Sequence, residues 1–212
     1  RKEFVMAKKI IKIVLLVVLA GALIYGAIFG YQYFAYKKQV NAAFALIEQI
    51  KEAGTFNKDF AMVGLDGTEY GPEIFADADV TILNFWANDC NPCVSEIPDL
   101  NEIAGEYKDK GFQLIGVCSG TIGNLISKQD DATKETMKNE AREIIDAIGV
   151  DNYVMGVPTD EFGLNLVDSF LRVYPTNVVL DKNGEIIDVF AGGYGKAEWI
   201  EKIDAYLAQV QG

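Results

Sequence analysis

The chain of 212 residues contains no histidine, only three cysteines and only five prolines. The absence of histidine excludes zinc sites of the Cys–His type and histidine acid–base catalysis, and three cysteines are too few for a closed four-cysteine zinc site. Acidic residues outnumber basic ones by 31 to 19, so the net charge is −12. A chain this acidic is a poor candidate for binding nucleic acids, because their phosphates repel it.

The most informative feature that is present is the dithiol motif Cys90-Asn91-Pro92-Cys93, which follows the apolar run Val80–Phe85. A strand that leads directly into a helix places Cys90 at the helix N-terminus, where unpaired N–H groups and the helix dipole favour a thiolate. Cys90 is therefore the predicted nucleophile, and the two-residue spacer brings Cys93 close enough to act as the resolving thiol. Zinc sites use the same spacing but need a second pair of ligands, so this pattern favours a redox dithiol over a metal site or a static bridge.

The residues around the dithiol resemble the active site of a known family. The stretch Asn84–Cys93 is followed by Glu96-Ile97-Pro98, and further along Tyr174-Pro175-Thr176 precedes the run Asn177–Asp181. In this order, the motifs resemble those of thioredoxin-fold proteins, specifically the membrane-anchored TlpA/ResA-like thiol-disulfide oxidoreductases. The resemblance extends from about Phe60 to Val210. It implies a thioredoxin-like α/β sandwich with an N-terminal β-hairpin addition, preceded by a single transmembrane helix.

The resemblance also implies roles for residues outside the dithiol. Pro175 corresponds to the family's cis-proline, although an ordinary trans turn proline is the alternative on sequence alone. Tyr174, just before it, would pair through its backbone with an extended substrate, and Trp86 is a second predicted substrate contact. Glu96 matches the family's acidic residue near the dithiol and is the predicted acceptor of the Cys93 proton. A solvated acid on the helix surface is the alternative for Glu96.

Three positions depart from this pattern or add to it. Asn84 stands where thioredoxin itself has a buried aspartate. Because that route for proton removal is absent here, Glu96 is favoured as the proton acceptor. Asp89 directly precedes Cys90 where many relatives have tryptophan, and its negative charge should oppose thiolate formation. Cys118 should lie near the same sheet edge as the dithiol, and a free buried cysteine is favoured over a third redox thiol.

The N-terminal part of the chain is predicted to be a membrane anchor. The stretch Ile13–Tyr36 has no charged residue over 24 positions, which is enough for a helix to cross a bilayer. Apolar sequence continues past the small residues Ala20-Gly21-Ala22, so an uncleaved anchor is favoured over a cleaved signal peptide. Five basic residues precede this stretch and two, Lys37 and Lys38, follow it, which predicts a cytoplasmic N-terminus. The predicted parts are a cytoplasmic segment 1–12, a transmembrane anchor 13–36, a helical stalk 37–55 and a thioredoxin-like domain 56–212.

Beyond the anchor, alternating strand and helix patterns predict an α/β core. Asp66-Gly67 signals a hairpin between extended segments at Phe60–Val63 and Glu69–Phe75. The predicted core strands are Val80–Phe85, Phe112–Cys118, Tyr153–Val157, Asn177–Leu180 and Glu185–Phe190. The predicted helices are Asn91–Lys110, Lys134–Ile148, Leu164–Phe170 and Lys196–Gln209, the last with a buried face of Trp199, Ile200, Ile203, Leu207 and Val210. The polar stretch Ser119–Thr133 is either a loop beside the active site that shapes partner choice or a tolerated surface insertion.

The predicted function is that of a membrane-tethered, extracytoplasmic thiol-disulfide oxidoreductase that forms a mixed disulfide with a protein substrate through Cys90. The resemblance favours reduction of protein disulfides, as in cytochrome c maturation, with electrons from a membrane or extracytoplasmic donor. No cofactor is expected besides the redox-active disulfide of Cys90 and Cys93, and no metal is expected. The alternatives are a thiol peroxidase and a non-enzymatic metal-binding or chaperone domain that uses the same two cysteines.

Overall fold

The computed structural model describes residues 2–53, 60–159 and 173–212. The chain forms two compact units, which divide between Ala42 and Ala43. Helix α1 (Lys2–Ala53) contains the stretch Leu15–Ala42, whose mean hydropathy is 1.9. By length and composition this helix could cross a membrane, and a signal sequence would satisfy the same criteria. The predicted boundaries between anchor, stalk and domain stay predictions.

The first two strands of the second unit form a short hairpin. Strands β1 (Met62–Gly64) and β2 (Glu69–Tyr70) pair antiparallel, and the Asp66 carboxylate accepts hydrogen bonds from the Thr68 backbone N–H and hydroxyl. The predicted hairpin is therefore present, but its second segment is wrong beyond Tyr70. The chain turns there into a 3-10 helix, Pro72–Asp77, because proline has no N–H for a strand ladder and fits the first turn of a helix.

The core strands are β3 (Val80–Trp86), β4 (Phe112–Cys118), β7 (Val154–Pro158), β8 (Thr176–Asp181) and β9 (Ile186–Ala191). With β1 and β2 they form, in the part of the chain that the structure describes, a seven-stranded sheet in the order β2-β1-β7-β4-β3-β8-β9. Strands β3, β4 and β7 run parallel to one another, and the other pairings in this sheet are antiparallel. All five core strands were predicted to within one residue at each end, because each is an apolar run bounded by turn residues or a helix start.

The described part of the core contains three α-helices. They are α2 (Asn91–Tyr107), which continues as a 3-10 turn to Lys110, α3 (Asp131–Ile148) and α4 (Lys196–Gln211). Helix α3 begins earlier than the predicted Lys134, because the Asp130 carboxylate caps it by accepting the Thr133 N–H at 2.8 Å. The predicted helix Leu164–Phe170 lies outside the described residues.

Strand β3 is buried along its whole length and divides the core. Its residues Val80 and Ile82 pack with α2 and α4 on one face, whereas Leu83 and Phe85 pack on the other face with the 3-10 residue Phe75. This alternation follows from the two-residue period of a strand. The layer of α2 and α4 over the sheet places the start of α2, and hence the dithiol, at the carboxyl end of β3.

Helix α4 covers the sheet through the face that the sequence predicts. Trp199, Ile203 and Leu207 are buried, and Ile200 is partly buried against the same cluster. Val210 is 37% exposed, so its predicted burial is wrong. The helix ends one residue later, where it has passed the edge of the cluster, and the last apolar side chain therefore meets solvent.

Candidate active site

The dithiol lies at the junction of β3 and α2. Cys90 is the N-cap of α2, and its sulfur accepts the Cys93 backbone N–H at 3.3 Å. The two cysteines are joined by a disulfide and both are buried. Pro92 lies in the first turn of the helix, where its missing N–H costs no hydrogen bond. After reduction, the helix N–H groups directed at Cys90 would stabilise a thiolate on that sulfur.

The proline loop lies at the same end of the sheet. The Tyr174–Pro175 peptide bond is cis, so the prediction of a cis-proline is confirmed. Strand β8 follows directly and pairs antiparallel with β3, with Thr176 opposite Phe85. Pro175 is buried, and Tyr174 packs against the hydrophobic cluster that contains Cys90 and Cys93. The register therefore brings the cis-proline and the dithiol together, as the resemblance implies.

Trp86 ends strand β3, just before the dithiol loop. Its side chain is fully buried and belongs to the same hydrophobic cluster as Cys90 and Cys93. The indole thus packs beside the dithiol in this oxidised state and offers no exposed surface. A contact with substrate through Trp86 stays a prediction.

Glu96 lies one helical turn after Cys93 and is only 4% exposed. Its carboxylate accepts hydrogen bonds from Asn84 Nδ2 at 3.1 Å, from the Tyr194 backbone N–H at 3.3 Å and from Trp199 Nε1 at 3.4 Å. Burial raises the pKa of the Glu96 carboxyl to about 7, and the three hydrogen bonds oppose part of that rise. The alternative of a solvated helix acid is therefore wrong. An acid with this pKa can gain or lose a proton near neutral pH.

A groove of about 330 Å³ connects this carboxyl to the surface. Its walls are formed by Pro92, Ser95, Glu96, Asp99 and the segment Gly193–Gly195. A Cβ atom on Gly193 would lie 3.0 Å from Glu96 Oε2, so glycine leaves room for the carboxylate at the groove wall. The groove gives Glu96 a route for proton exchange with solvent that does not pass through the hydrophobic core.

Asp89 has a different environment although it directly precedes Cys90. Its side chain is exposed, and Oδ1 accepts the Ile122 backbone N–H at 2.7 Å. The neighbouring Asn88 N–H donates to the Gly120 carbonyl at 2.8 Å. These bonds attach the dithiol loop to a small hairpin, β5 (Gly120–Thr121) and β6 (Asn124–Leu125). The polar stretch Ser119–Thr133 therefore lies beside the active site, and part of it forms this hairpin.

Residues 51–204 of the chain match the Redoxin family. The chain belongs to the Redoxin family. Among its relatives, the thiol-disulfide oxidoreductase ResA of Halalkalibacterium halodurans is 31% identical over 113 residues, which are 52% of this chain and 53% of that protein. ResA of Bacillus thuringiensis subsp. konkukian is 27% identical over 167 residues, covering 77% of this chain and 81% of the relative. The predicted resemblance to ResA-like thiol-disulfide oxidoreductases, and with it the enzyme class, is confirmed.

The fold of this Redoxin-family chain resembles that of solved structures. The crystal structure of a thiol:disulfide interchange protein of the thioredoxin family from Chlorobium tepidum superposes with a TM-score of 0.54 at 22% identity. The match covers 75% of this chain and 97% of that one. It confirms the predicted thioredoxin-like sandwich.

Cys118, the third cysteine of this redoxin, is free and fully buried, as the favoured interpretation predicts. It ends β4 opposite Trp86, and its thiol donates to Asn88 Oδ1 at 3.0 Å. Burial raises the pKa of the Cys118 thiol to about 12. The group therefore stays a protonated thiol at neutral pH, in the hydrophobic cluster that also holds Cys90 and Cys93.

The hydrogen-bond partners of Glu96 were not predicted from the sequence. Asn177 is fully buried and accepts a hydrogen bond from Asn84 Nδ2 at 2.8 Å, which fixes the amide that faces Glu96. Trp199 was predicted as a core residue but not as a donor, and Tyr194 contributes through its backbone. One signal was available for Asn177, because it is a polar residue at the start of an otherwise apolar strand beside the cis-proline.

Proposed function

We propose that this chain is a membrane-tethered thiol-disulfide oxidoreductase that reduces disulfides in extracytoplasmic proteins. The observation that carries the proposal is the Cys90–Cys93 disulfide at the N-terminus of α2, with the buried carboxyl of Glu96 one turn beyond Cys93. A helix N-terminus favours the thiolate on Cys90, and the Glu96 pKa of about 7 suits a group that accepts a proton at neutral pH. The relatives named ResA are thiol-disulfide oxidoreductases, which supports the same reaction class.

The proposed reaction starts from the reduced dithiol. The Cys90 thiolate attacks one sulfur of a substrate disulfide, which forms a mixed disulfide and releases the other substrate sulfur as a thiolate that takes up a proton. Cys93 then gives its proton to the Glu96 carboxylate and attacks Cys90 Sγ. The Cys90–Cys93 disulfide forms and the second substrate thiolate leaves. Two electrons pass from the dithiol to the substrate, and a membrane or extracytoplasmic dithiol donor must return them.

The substrate is proposed to bind beside the cis-proline. The Tyr174 backbone, next to Pro175, is the proposed partner of an extended substrate segment, which would add to the protein like another strand. No cofactor takes part in the proposed reaction besides the dithiol itself. A protein substrate is favoured over a peroxide because the motif offers two cysteines, Cys90 and Cys93, next to the exposed acid Asp89, whereas a peroxide-reducing site needs one activated cysteine and cationic stabilisers.

The proposed location follows from helix α1. Its stretch Leu15–Ala42 is long and apolar enough to cross a bilayer, and five basic residues precede the uncharged run Ile13–Tyr36 whereas two follow it. This bias favours a cytoplasmic N-terminus and a dithiol domain outside the membrane, in a compartment where disulfides form and persist. The anchor would hold the dithiol close to membrane-bound donors and substrates.

A trapping experiment on the full-length chain tests the function. Cys93→Ala should accumulate a covalent complex with the substrate protein on non-reducing gels, because Cys90 can still attack but no thiol resolves the product. Cys90→Ala should trap no partner, and Cys118→Ser is the matched control that should behave like wild type. Mass spectrometry that locates the partner on Cys118, or complexes trapped equally by Cys90→Ala, would overturn the assignment of the nucleophile.

The direction of electron flow is tested by the reduction potential of the dithiol, measured by a glutathione or dithiothreitol titration. A value near or below about −270 mV, the potential of thioredoxin, supports the proposed reductase. A value near about −120 mV, typical of a strong oxidant, would replace it with an oxidase.

A further inference from the structure

Two polar atoms beneath the dithiol lack the hydrogen bonds that buried groups normally make. Among the residues that the structure describes, Asn84 Oδ1 and the Tyr153 hydroxyl are buried without a hydrogen-bond partner. Buried groups in this condition are uncommon, because burial removes the water that would otherwise bond to them. The two atoms are chemically complementary: the amide oxygen can only accept a hydrogen bond and the hydroxyl can donate one.

Strand register places these two groups on one face of the sheet. Asn84 on β3 lies opposite Gly116 on the neighbouring parallel strand β4, so both positions face the layer of α2. A Cβ atom on Gly116 would meet the Met155 side chain first and would lie 3.2 Å from Tyr153 Cε2. Tyr153 therefore lies close to Gly116, which is the register neighbour of Asn84. Tyr153 also packs against both the cluster under α2 and α4 and the cluster around the dithiol.

The amide nitrogen of Asn84 already donates two hydrogen bonds. This Nδ2 atom donates to Glu96 Oε1 at 3.1 Å and to Asn177 Oδ1 at 2.8 Å. A hydrogen bond received at an amide oxygen polarises the amide and strengthens the bonds that its N–H groups donate. A donor at Asn84 Oδ1 would thus strengthen the bond from Asn84 to the Glu96 carboxylate.

We propose that Tyr153 is a positioning residue for Glu96, with its hydroxyl donating to Asn84 Oδ1 through one bridging water. The Asn84 amide then carries this polarisation to the carboxylate of Glu96. The inference deepens the proposed function, since it rests on Glu96 as the acceptor of the Cys93 proton. It assigns Tyr153 no contact with the reacting sulfur atoms.

The expected effect is on the protonation of Glu96. Burial raises the pKa of this carboxyl, and each donor to the carboxylate lowers it again, so the Tyr153–Asn84 relay should hold the pKa down. Burial and the nearby charge of Glu96 both raise the pKa of Tyr153, which keeps its hydroxyl a neutral donor. The other titratable groups around Glu96 are Cys93 on the preceding turn, Tyr194 before α4 and Asp99 at the groove.

The test is a direct titration of Glu96 in the full-length oxidised chain in detergent micelles, where the disulfide removes the cysteines from the titration. The side-chain carboxyl carbons of glutamate are labelled with ¹³C, and loss of one resonance in Glu96→Gln assigns the signal. Tyr153→Phe, which deletes only the hydroxyl, should raise the Glu96 pKa by about 0.3 pH units, the share that cooperativity adds to a hydrogen bond onto a charged group. An unchanged or lowered pKa would overturn the proposal.

Tyr107→Phe is the matched control. The Tyr107 hydroxyl lies on the same face of the sheet but donates to Asp204 at 2.8 Å, and Tyr107 is eleven residues beyond Glu96 on α2, about 16 Å along the helix. Its removal should leave the Glu96 titration unchanged. Equal shifts in Tyr107→Phe and Tyr153→Phe would indicate a general loosening of the core and would contradict the relay.

A double-mutant cycle isolates the path through Asn84. In an Asn84→Ala background, Tyr153→Phe should produce no further shift in the Glu96 pKa, because the intermediate amide is gone. Additive shifts would show that Tyr153 acts on Glu96 without Asn84 and would overturn the relay. If Asn84→Ala does not fold, the comparison of Tyr153→Phe with Tyr107→Phe decides alone. The titration needs no substrate, so its outcome is independent of whether Cys93→Ala traps a partner.

Discussion

Asp89 and Glu96 are the two carboxylates that flank the dithiol in sequence, yet folding gives them opposite surroundings. Asp89 adjoins the nucleophile but stays exposed and bonds to a backbone N–H of the β5–β6 hairpin. Glu96 is three residues beyond Cys93 but is enclosed by α2, β3 and α4, where it accepts bonds from Asn84 and Trp199. Distance along the chain is therefore a poor guide to which acid can exchange a proton with a thiol. Enclosure away from water matters more, because desolvation is what raises the pKa.

The largest expected effect is a difference in the rate of thiol-disulfide exchange between variants of the two acids. Glu96→Gln keeps the shape of the side chain but removes the proton acceptor, so thiol-disulfide exchange with a disulfide substrate should slow by about 10²–10⁴-fold near neutral pH. Asp89→Asn is the matched acid-to-amide control and should stay close to wild type. Stopped-flow measurement of both variants in the full-length chain checks this expectation, and equal rates for Glu96→Gln and wild type would reduce Glu96 to a structural residue.

The next effect is on stability. The folded state raises the Glu96 pKa from 4.5 to about 7, so the folded chain binds this proton more tightly than the unfolded chain does. The resulting stabilisation is complete below pH 4.5 and is lost as the pH rises through 7. It should amount to at most about 3 kcal/mol in the free energy of unfolding.

Urea unfolding of the oxidised chain at pH 5 and pH 8 measures this contribution. Other carboxylates also titrate over this range, so the informative quantity is the difference between wild type and variant. Stability should fall less between the two pH values in Glu96→Gln than in wild type, whereas Asp89→Asn should show the wild-type fall. An equal fall in Glu96→Gln and wild type would show that a different group causes it.

The smallest effect concerns the charge of Asp89. Asp89→Asn removes a negative charge next to Cys90 but keeps an oxygen that can accept the Ile122 N–H, so the hairpin contact should persist. The Cys90 pKa in the reduced chain should fall, because a negative charge near the thiolate is lost. The fall should be only about 0.5 pH units, because solvent screens an exposed charge. Alkylation rates measured against pH report this shift. The difference from wild type should shrink at high salt, and a rise in the Cys90 pKa would contradict the expectation.

Local patterns sufficed to predict the dithiol and the core strands. The apolar runs of β3 and β4 end at sharp changes of composition, and the sequence places Cys90 at a helix start without knowledge of tertiary contacts. The cis-proline required the family resemblance, since the Tyr174–Pro175 step has no local signal that separates cis from trans.

The environment of Glu96 could not be predicted in the same way. Its donors Tyr194 and Trp199 are about a hundred residues away along the chain, and only the packing of α4 against α2 brings them to the carboxylate. The β5–β6 hairpin was missed for a related reason. Its strands are two residues long and contain polar residues such as Thr121 and Asn124, so periodicity carries no signal, and its position depends on bonds to Asn88 and Asp89.

The burial of Cys118 makes this residue a reporter of local unfolding. A thiol with a pKa of about 12 and no accessible surface cannot be alkylated in the closed protein, whereas the helix N-terminus favours the reactive thiolate on Cys90 in the reduced chain. Cys118 can be modified only when the end of β4 separates from β3, so the rate of its modification measures how often that part of the sheet opens. Cys90 should therefore be labelled first and Cys118 on the timescale of strand opening, which gives one chain both a redox assay and a stability assay.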